Sequence, residues 1–372
     1  MLTEKKVIVI SAVNFSEGGP LTILSSLLNW LEVSNFSKNY KVYALVHSTK
    51  LFKGFNNIQL IEYPHVKSSW FKRILFEYWK CKEISKDFNV YFWFSLHDMT
   101  PNTTARKRVV YCHNAIAFHK QNFFDFFKNP IRFLYAKFYK YLYRINIHKN
   151  DFIVVQQQWM RNKFADLFKI SKKKIVVSLP ISQEDKRIFN EVEDKSDELK
   201  KFFYPAFPRD FKNFEIVCEA VEQLTKEQNN NFEVILTLDG SENNYSKTIF
   251  EKFKHLKNIK FIGLQSREKI EEYYQLSDCL IFASKLETWG LPITEYKKYG
   301  KPILVSDLPY AHETVGDYKK VKYFDPKDSN ALAKEMKNFI FGNLIFDNRV
   351  AIVYSKPITR NWEELFKLIL NE

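Results

Sequence analysis

The feature that most constrains this chain is an alternation of short apolar runs with stretches of helical spacing. Val7–Ile10, Val42–His47, Ile58–Tyr63, Val90–Phe94 and Val109–Cys112 are apolar runs, and Asp151–Gln156, Lys174–Leu179, Phe232–Leu238, Ile259–Leu264 and Cys279–Ala283 continue the series. Among them lie Leu21–Trp30, Phe71–Ile84, Trp159–Phe168, Phe214–Leu224, Arg267–Leu276 and Ala331–Phe341, with apolar residues at helical spacing. Runs that short and uniformly apolar suit strands buried on both faces, and strands joined through helices run parallel. The pattern predicts α/β domains whose ligands gather at the carboxyl ends of the strands. A length of 372 residues suggests two such domains, and the highly charged stretch Ser182–Lys200 reads as the linker between them.

Composition narrows the setting. No stretch reaches the roughly 18 to 20 uninterrupted apolar residues of a membrane helix. Met1–Lys6 leads straight into Val7–Ile10, a run too short for a signal peptide, so a cytoplasmic location is expected. The cysteines Cys81, Cys112, Cys218 and Cys279 show no metal or redox spacing. Cys112 and His113 are adjacent on a strand and face opposite ways, which argues against a catalytic dyad. Fifty-seven Lys and Arg against 43 Asp and Glu give a net charge of +14, favouring an anionic partner: a phosphorylated substrate, an anionic lipid surface or nucleic acid.

The candidate site begins at the strand Cys279–Ala283. Ser284 to Gly290 reads as a loop, and a helix is predicted from Leu291 to about Tyr299, with Pro292 in its first turn and Gly300 after its end. Glu287 then lies in the loop and Glu295 one turn into the helix. Helix starts attract phosphate, whereas carboxylates accept hydrogen bonds from hydroxyls. Both together suit a molecule carrying phosphates and polyols, such as a nucleotide-sugar. Read alone, Glu295 equally well complements a helix dipole. Gly18 and Gly19 follow the first strand, where absence of Cβ lets the backbone come close to a ligand. His113 ends another strand. Arg209 and Lys212 precede the helix Phe214–Leu224 and are either surface charges or a diphosphate clamp. Phe118–Ile147 contains Phe123–Lys128 and a helix from Pro130, on which Ile131, Leu134, Tyr135, Phe138, Tyr141, Leu142 and Ile145 recur at helical spacing beside Arg132, Lys137, Lys140 and Arg144. It reads either as a core helix with a solvated basic face or as an edge that meets an anionic membrane.

Glu287 and Glu295 with Gly290-Leu291-Pro292 between them, then Gly300-Lys301-Pro302-Ile303-Leu304-Val305-Ser306-Asp307, Glu313 and Phe324-Asp325-Pro326, closely resemble the retaining glycosyltransferases of family 4. The resemblance is dense from Phe203 to Met336 and weaker across the amino-terminal half. It implies the GT-B fold: two Rossmann-like domains facing across a cleft, here 1–185 and 198–355, with 356–372 a helix returning to the first domain and anchored by Trp362. It implies a retaining, metal-independent hexosyltransferase with no cofactor. Its donor would be a nucleotide-sugar and its acceptor a glycan or lipid-diphosphate-linked sugar in surface polysaccharide or lipopolysaccharide biosynthesis. It assigns Glu287 and His113 to the transferred sugar. It assigns Glu295 to the ribose, and Lys212, Arg209, Gly18, Gly19, Trp289, Gly290 and Leu291 to the donor phosphates. Gly263 and Leu264 would lie near the base. Arg209 departs from the pattern, because the usual arginine position holds Phe207. Peripheral association with the cytoplasmic membrane is a further implication. The competing readings are a GT-B epimerase, a non-catalytic sugar-nucleotide-binding subunit, and a nucleic-acid binder motivated by charge alone. The last has no recognisable module, so no nucleic-acid partner is expected.

Overall fold

The computed structural model describes residues 5–118, 130–179, 199–228, 230–348 and 352–370. Phe123–Lys128 and positions 182–198 of the charged stretch lie outside the described residues. The chain divides into two compact units, Met1–Ile181 with Tyr354–Glu372, and Ser182–Val353.

The first unit is built on a parallel sheet of β1 (Lys6–Ala12), β2 (Tyr40–Val46), β3 (Ile58–Glu62), β4 (Val90–Ser95), β5 (Lys107–Cys112), β6 (Phe152–Val155), β7 (Ile175–Ser178) and β14 (Ile358–Thr359), in the order β14-β7-β6-β5-β4-β1-β2-β3. Its inner strands are mostly apolar and buried because both faces are covered, whereas the edge strand β3 leaves Gln59 and Glu62 exposed. Ile8 and Ile10 of β1 pack with Leu24, Leu27 and Leu28 of the helix Gly18–Val33, while Val9 between them points into a second cluster with Phe76, Cys81 and Ile84. The last helix, Trp362–Leu370, belongs to the first cluster through Leu365, Phe366 and Ile369, and Trp362 Nε1 donates to Ser26 Oγ at 3.0 Å.

The helix expected near Phe71–Ile84 is present and runs without a break as Trp70–Leu75, a π-turn Phe76–Lys80 and Cys81–Asp87. Among the described side chains of the helix Pro130–Arg144, Tyr139 and Tyr143 are the buried ones, and Leu134, Phe138 and Tyr141 of the apolar series are exposed, as is Ile145 just after it. The side chains of Ile131, Arg132 and Tyr135 lie outside the described residues. The tyrosines face inward because each phenol finds a buried acceptor, Asp98.

The second unit holds a parallel sheet of β8 (Lys200–Tyr204), β9 (Phe232–Leu236), β10 (Ile259–Phe261), β11 (Cys279–Phe282), β12 (Ile303–Ser306) and β13 (Val321–Phe324), in the order β10-β9-β8-β11-β12-β13. The central pair, β8 and β11, is wholly apolar and buried at Phe202, Phe203, Tyr204 and Cys279 to Phe282. Among the described residues, no helix is long and apolar enough to cross a membrane.

Candidate functional site

In the second unit β8 and β11 are neighbours in parallel register, so the loops after them leave from the same edge of the sheet. The loop after β8 ends in the short turn Asp210–Lys212 and at Asn213, whose φ of 60° is left-handed. Asparagine tolerates that conformation, and its side chain uses it to staple the site. Asn213 Nδ2 donates to Ala283 O at 3.2 Å and to Pro326 O at 2.9 Å. Lys285 N donates to Phe211 O at 2.7 Å, and Tyr310 Oη to Ser284 O at 2.7 Å. Tyr204 Oη donates to Lys212 O at 2.5 Å. Both loops are therefore fixed by buried hydrogen bonds before any charge is considered.

That framework brings together Lys212 and Glu287, which form an ion pair, both mostly buried. The ammonium also stands 5.6 Å from the Phe282 ring centre. Lys212 lies between Phe211 and Asn213, whose hydrogen bonds fix the turn against the loop after β11, so the pair is preorganised rather than assembled from mobile side chains. Arg209 is exposed and lies over the exposed Phe207 ring at 5.4 Å.

Glu295 sits on the helix Leu291–Lys297 and is held from the helix Arg267–Leu276. Arg267 Nη1 donates to Oε1 at 2.6 Å and Tyr274 Oη to Oε2 at 2.8 Å. Burial first, and then the charge of Glu295, hold the Tyr274 phenol well above its ordinary range, so it remains a donor. A carboxylate has about four acceptor positions, and two remain for a ligand. Sequence reading missed both partners. A signal existed at Arg267: a cation in the first turn opposes the helix dipole and calls for an anion nearby.

Gly290 precedes the helix with φ 90°, and a Cβ there would come within 3.2 Å of Ile293 Cδ1. Trp289 is half-buried, its Nε1 donating to Thr294 Oγ1 at 2.9 Å while its carbonyl accepts from Thr314. Leu291 is exposed at the helix start. Gly263, at φ 65°, lies against Asp239, whose Oδ2 would be 2.7 Å from an added Cβ; Leu264 beside it is exposed.

The first unit holds the remaining candidates. His113 follows β5. Its backbone N–H donates to Asp98 Oδ1 at 2.8 Å, its Nε2 lies 3.9 Å from Asp98 Oδ2, and its ring meets Phe15 edge-on at 5.2 Å. Its buried Nδ1 has no hydrogen-bond partner among the described residues. Asp98 itself, at φ 68°, also accepts from Tyr139 at 3.0 Å and Tyr143 at 2.9 Å, and sequence reading gave it no role. Gly18 begins the helix after β1 at φ 68°, and a Cβ on Gly19 would meet nothing within 4 Å. Cys112 is fully buried, and burial raises its thiol well above the ordinary range, which makes it a poor nucleophile.

Residues 184–351 match the family described as Glycosyl transferases group 1. Curated protein sequences give no match. Three solved structures share the fold over nearly the whole chain. Sucrose-phosphate synthase from Thermosynechococcus elongatus has 12% identity, covers 91% of this chain and 90% of its own, and gives a TM-score of 0.64. The lipopolysaccharide outer core galactosyltransferase WaaB has 14% identity, 92% coverage of each chain and a TM-score of 0.62. Anabaena Alr3699/HepE in complex with UDP-glucose has 14% identity, covers 90% of this chain and 89% of its own, and gives 0.60.

Proposed function

We propose that this chain, whose residues 184–351 match the family Glycosyl transferases group 1 and whose two α/β units have the GT-B fold, is a retaining glycosyltransferase. It moves a hexose-type sugar from a nucleoside-diphosphate donor to a glycan or lipid-linked acceptor in surface polysaccharide assembly. The observation that carries the reading is the Lys212–Glu287 pair, brought together from the loops that follow two adjacent strands inside the matched region. An ammonium beside a carboxylate suits a ligand with an anionic and a hydroxylated end. Lys212 takes the diphosphate, and Glu287 accepts from the sugar hydroxyls.

In the reaction the bond from the anomeric carbon to the diphosphate oxygen breaks. The acceptor oxygen bonds to that carbon on the same face, and its proton passes to the leaving phosphate. Negative charge grows on the diphosphate as the bond opens, so a fixed cation there lowers the barrier. Lys212 supplies that charge, with Arg209 as a second cation and the backbone of Trp289, Gly290 and Leu291 as donors. This division of labour calls for no metal. Glu295, preset by Arg267 and Tyr274, accepts from the ribose, and Gly263 and Leu264 border the base. In the first unit the unpartnered Nδ1 of His113 serves a sugar hydroxyl, and the open space at Gly19 admits a diphosphate. UDP-glucose is the donor named with HepE and is the first to try. The exposed stripe Leu134, Phe138, Tyr141 and Ile145, with Lys137 and Arg144 also exposed, suits peripheral contact with an anionic membrane on the cytoplasmic side.

The test is sugar transfer with UDP-, GDP- and ADP-hexoses in two variants. Glu287→Ala abolishes transfer. Glu295→Ala loses hydrogen bonds to a charged group, worth about 1.5–3 kcal/mol, and weakens the donor by roughly 10- to 150-fold. Wild-type turnover in both variants overturns the assignment.

A further inference from the structure

The first unit carries a second exposed apolar ridge that the proposed reaction does not use. It lies on the helix Trp70–Leu75 and the π-turn Phe76–Lys80, where Phe71 is 70% exposed, Leu75 40% and Trp79 60%. The opposite side of the same segment is locked inside. Arg73 and Glu77 are buried and paired at 2.8 Å, and Arg73 Nη2 donates to His97 O at 3.1 Å. The outward side chains therefore belong to a fixed segment. Four residues of α-helix overshoot one turn by about 40°, so positions 71, 75 and 79 would drift apart around the axis. A π-turn holds more residues per turn, so the step from 75 to 79 falls short of a full turn and returns Trp79 toward the line of Phe71. The irregularity builds the ridge.

Two further observations identify what the ridge meets. Five lysines of the segment 65–87, Lys67, Lys72, Lys80, Lys82 and Lys86, are exposed against two exposed carboxylates, Glu83 and Asp87. The segment that carries the ridge is also joined to the end of the helix Pro130–Arg144, which carries the exposed stripe. Asn102 takes both sides: its N–H donates to Glu77 O at 3.0 Å and its Nδ2 to Tyr78 O at 3.1 Å, while its Oδ1 accepts from Asn146 Nδ2 at 2.9 Å. One asparagine thus ties the residue before Trp79 to the residue after Ile145.

We infer that the two apolar ridges form one bipartite surface that docks on the headgroup region of an anionic phospholipid membrane. The inference rests on the reading that the helix Pro130–Arg144 meets a membrane, and adds a second element with its own chemistry. Tryptophan and phenylalanine enter the boundary between headgroups and acyl chains, and the surrounding lysines pair with lipid phosphates.

The experiment is co-sedimentation of the full chain with phosphatidylglycerol–phosphatidylcholine vesicles and with phosphatidylcholine alone. It is run on the wild type, Phe71→Ser/Trp79→Ser and Leu134→Ser/Phe138→Ser, with nucleotide binding as the check on folding. The expected result is salt-sensitive binding of the wild type to the anionic vesicles, weakened by about tenfold or more in each double variant with nucleotide binding unchanged. Wild-type vesicle binding in Phe71→Ser/Trp79→Ser overturns the inference and leaves the membrane reading intact. No vesicle binding by the wild type overturns both. A dimer in sedimentation that only Phe71→Ser/Trp79→Ser dissociates, with vesicle binding unchanged, overturns it in favour of a second copy as the occupant.

Discussion

Replacing Tyr274 with phenylalanine removes one oxygen and keeps the ring. The ring is fully buried, with centroids 5.6 Å from Phe203, 5.6 Å from Tyr296 and 6.0 Å from Tyr299. Phenylalanine fills that space, so no cavity term arises. What is lost is the 2.8 Å bond to Glu295 Oε2. A hydrogen bond to a charged group contributes about 1.5–3 kcal/mol. Glu295 is 16% exposed and keeps Arg267, itself 62% exposed, so water and the guanidinium recover part of the loss. The lower end, about 1.5 kcal/mol, is expected, and Tm falls by roughly 3–6 °C. Donor affinity falls as well, because a carboxylate free to rotate must be ordered by the ligand; roughly three- to tenfold is expected. Calorimetry with the nucleotide-sugar, together with a thermal melt, reads both effects. Tyr299→Phe is the control: its hydroxyl donates to Glu271, and its loss leaves the donor Kd unchanged. A Tyr274→Phe variant with lowered Tm and wild-type donor affinity would refute the claim that Glu295 is preset for the ribose.

Other consequences follow from single contacts. Gly263→Ala places a Cβ in left-handed backbone, at a cost of about 1–2 kcal/mol, and 2.7 Å from Asp239 Oδ2. Denaturant melts should show a larger loss than that, with part of it recovered by adding Asp239→Ala; full wild-type stability in Gly263→Ala contradicts the geometry. His97 is held well below its ordinary range, by burial first and then by Arg73, so it is neutral in the fold. The unfolded chain binds a proton below about pH 6.5 and the folded chain does not, so His97's contribution is lost as pH falls. The stability advantage of the wild type over His97→Gln should shrink by up to about 1.4 kcal/mol per pH unit between pH 6.5 and 5. The comparison is made in a Glu77→Gln background, because Glu77, raised by burial to about 7, lies 3.4 Å from His97 Nδ1 and its titration would respond to the substitution. A constant difference across that range would show that His97 is protonated in the fold.

Elements with strong local patterns were legible in the sequence. The buried runs of β1, β4, β5, β9 and β11 were read as strands because both faces are apolar, and Arg267–Leu276 was read as a helix from its spacing. Elements defined by distant partners were not. β13 alternates buried and half-buried residues at the edge of its sheet, and β14 is only two residues long, so neither carries a distinct run. The π-turn depends on a buried Arg73–Glu77 pair that spacing alone reads as one more surface i,i+4 contact. The helix Pro130–Arg144 shows why hydrophobicity does not fix orientation. Tyr139 and Tyr143 turn inward because Asp98 waits for them, whereas Tyr141 is exposed, and Asp98 is 41 positions from Tyr139. At the candidate site Glu287, Glu295 and Lys212 were singled out through their motif, whereas Arg267 and Tyr274 reach Glu295 from 28 and 21 positions away.

The account stands on Lys212 and Glu287 sharing a nucleoside-diphosphate sugar. Titrating UDP-, GDP- and ADP-hexoses into the wild type and Lys212→Ala by calorimetry tests it most directly. One donor should bind the wild type and bind Lys212→Ala at least about tenfold more weakly, the loss of one charge-assisted contact to the diphosphate. Equal affinity in the two proteins, or no binding of any donor to the wild type, would contradict it.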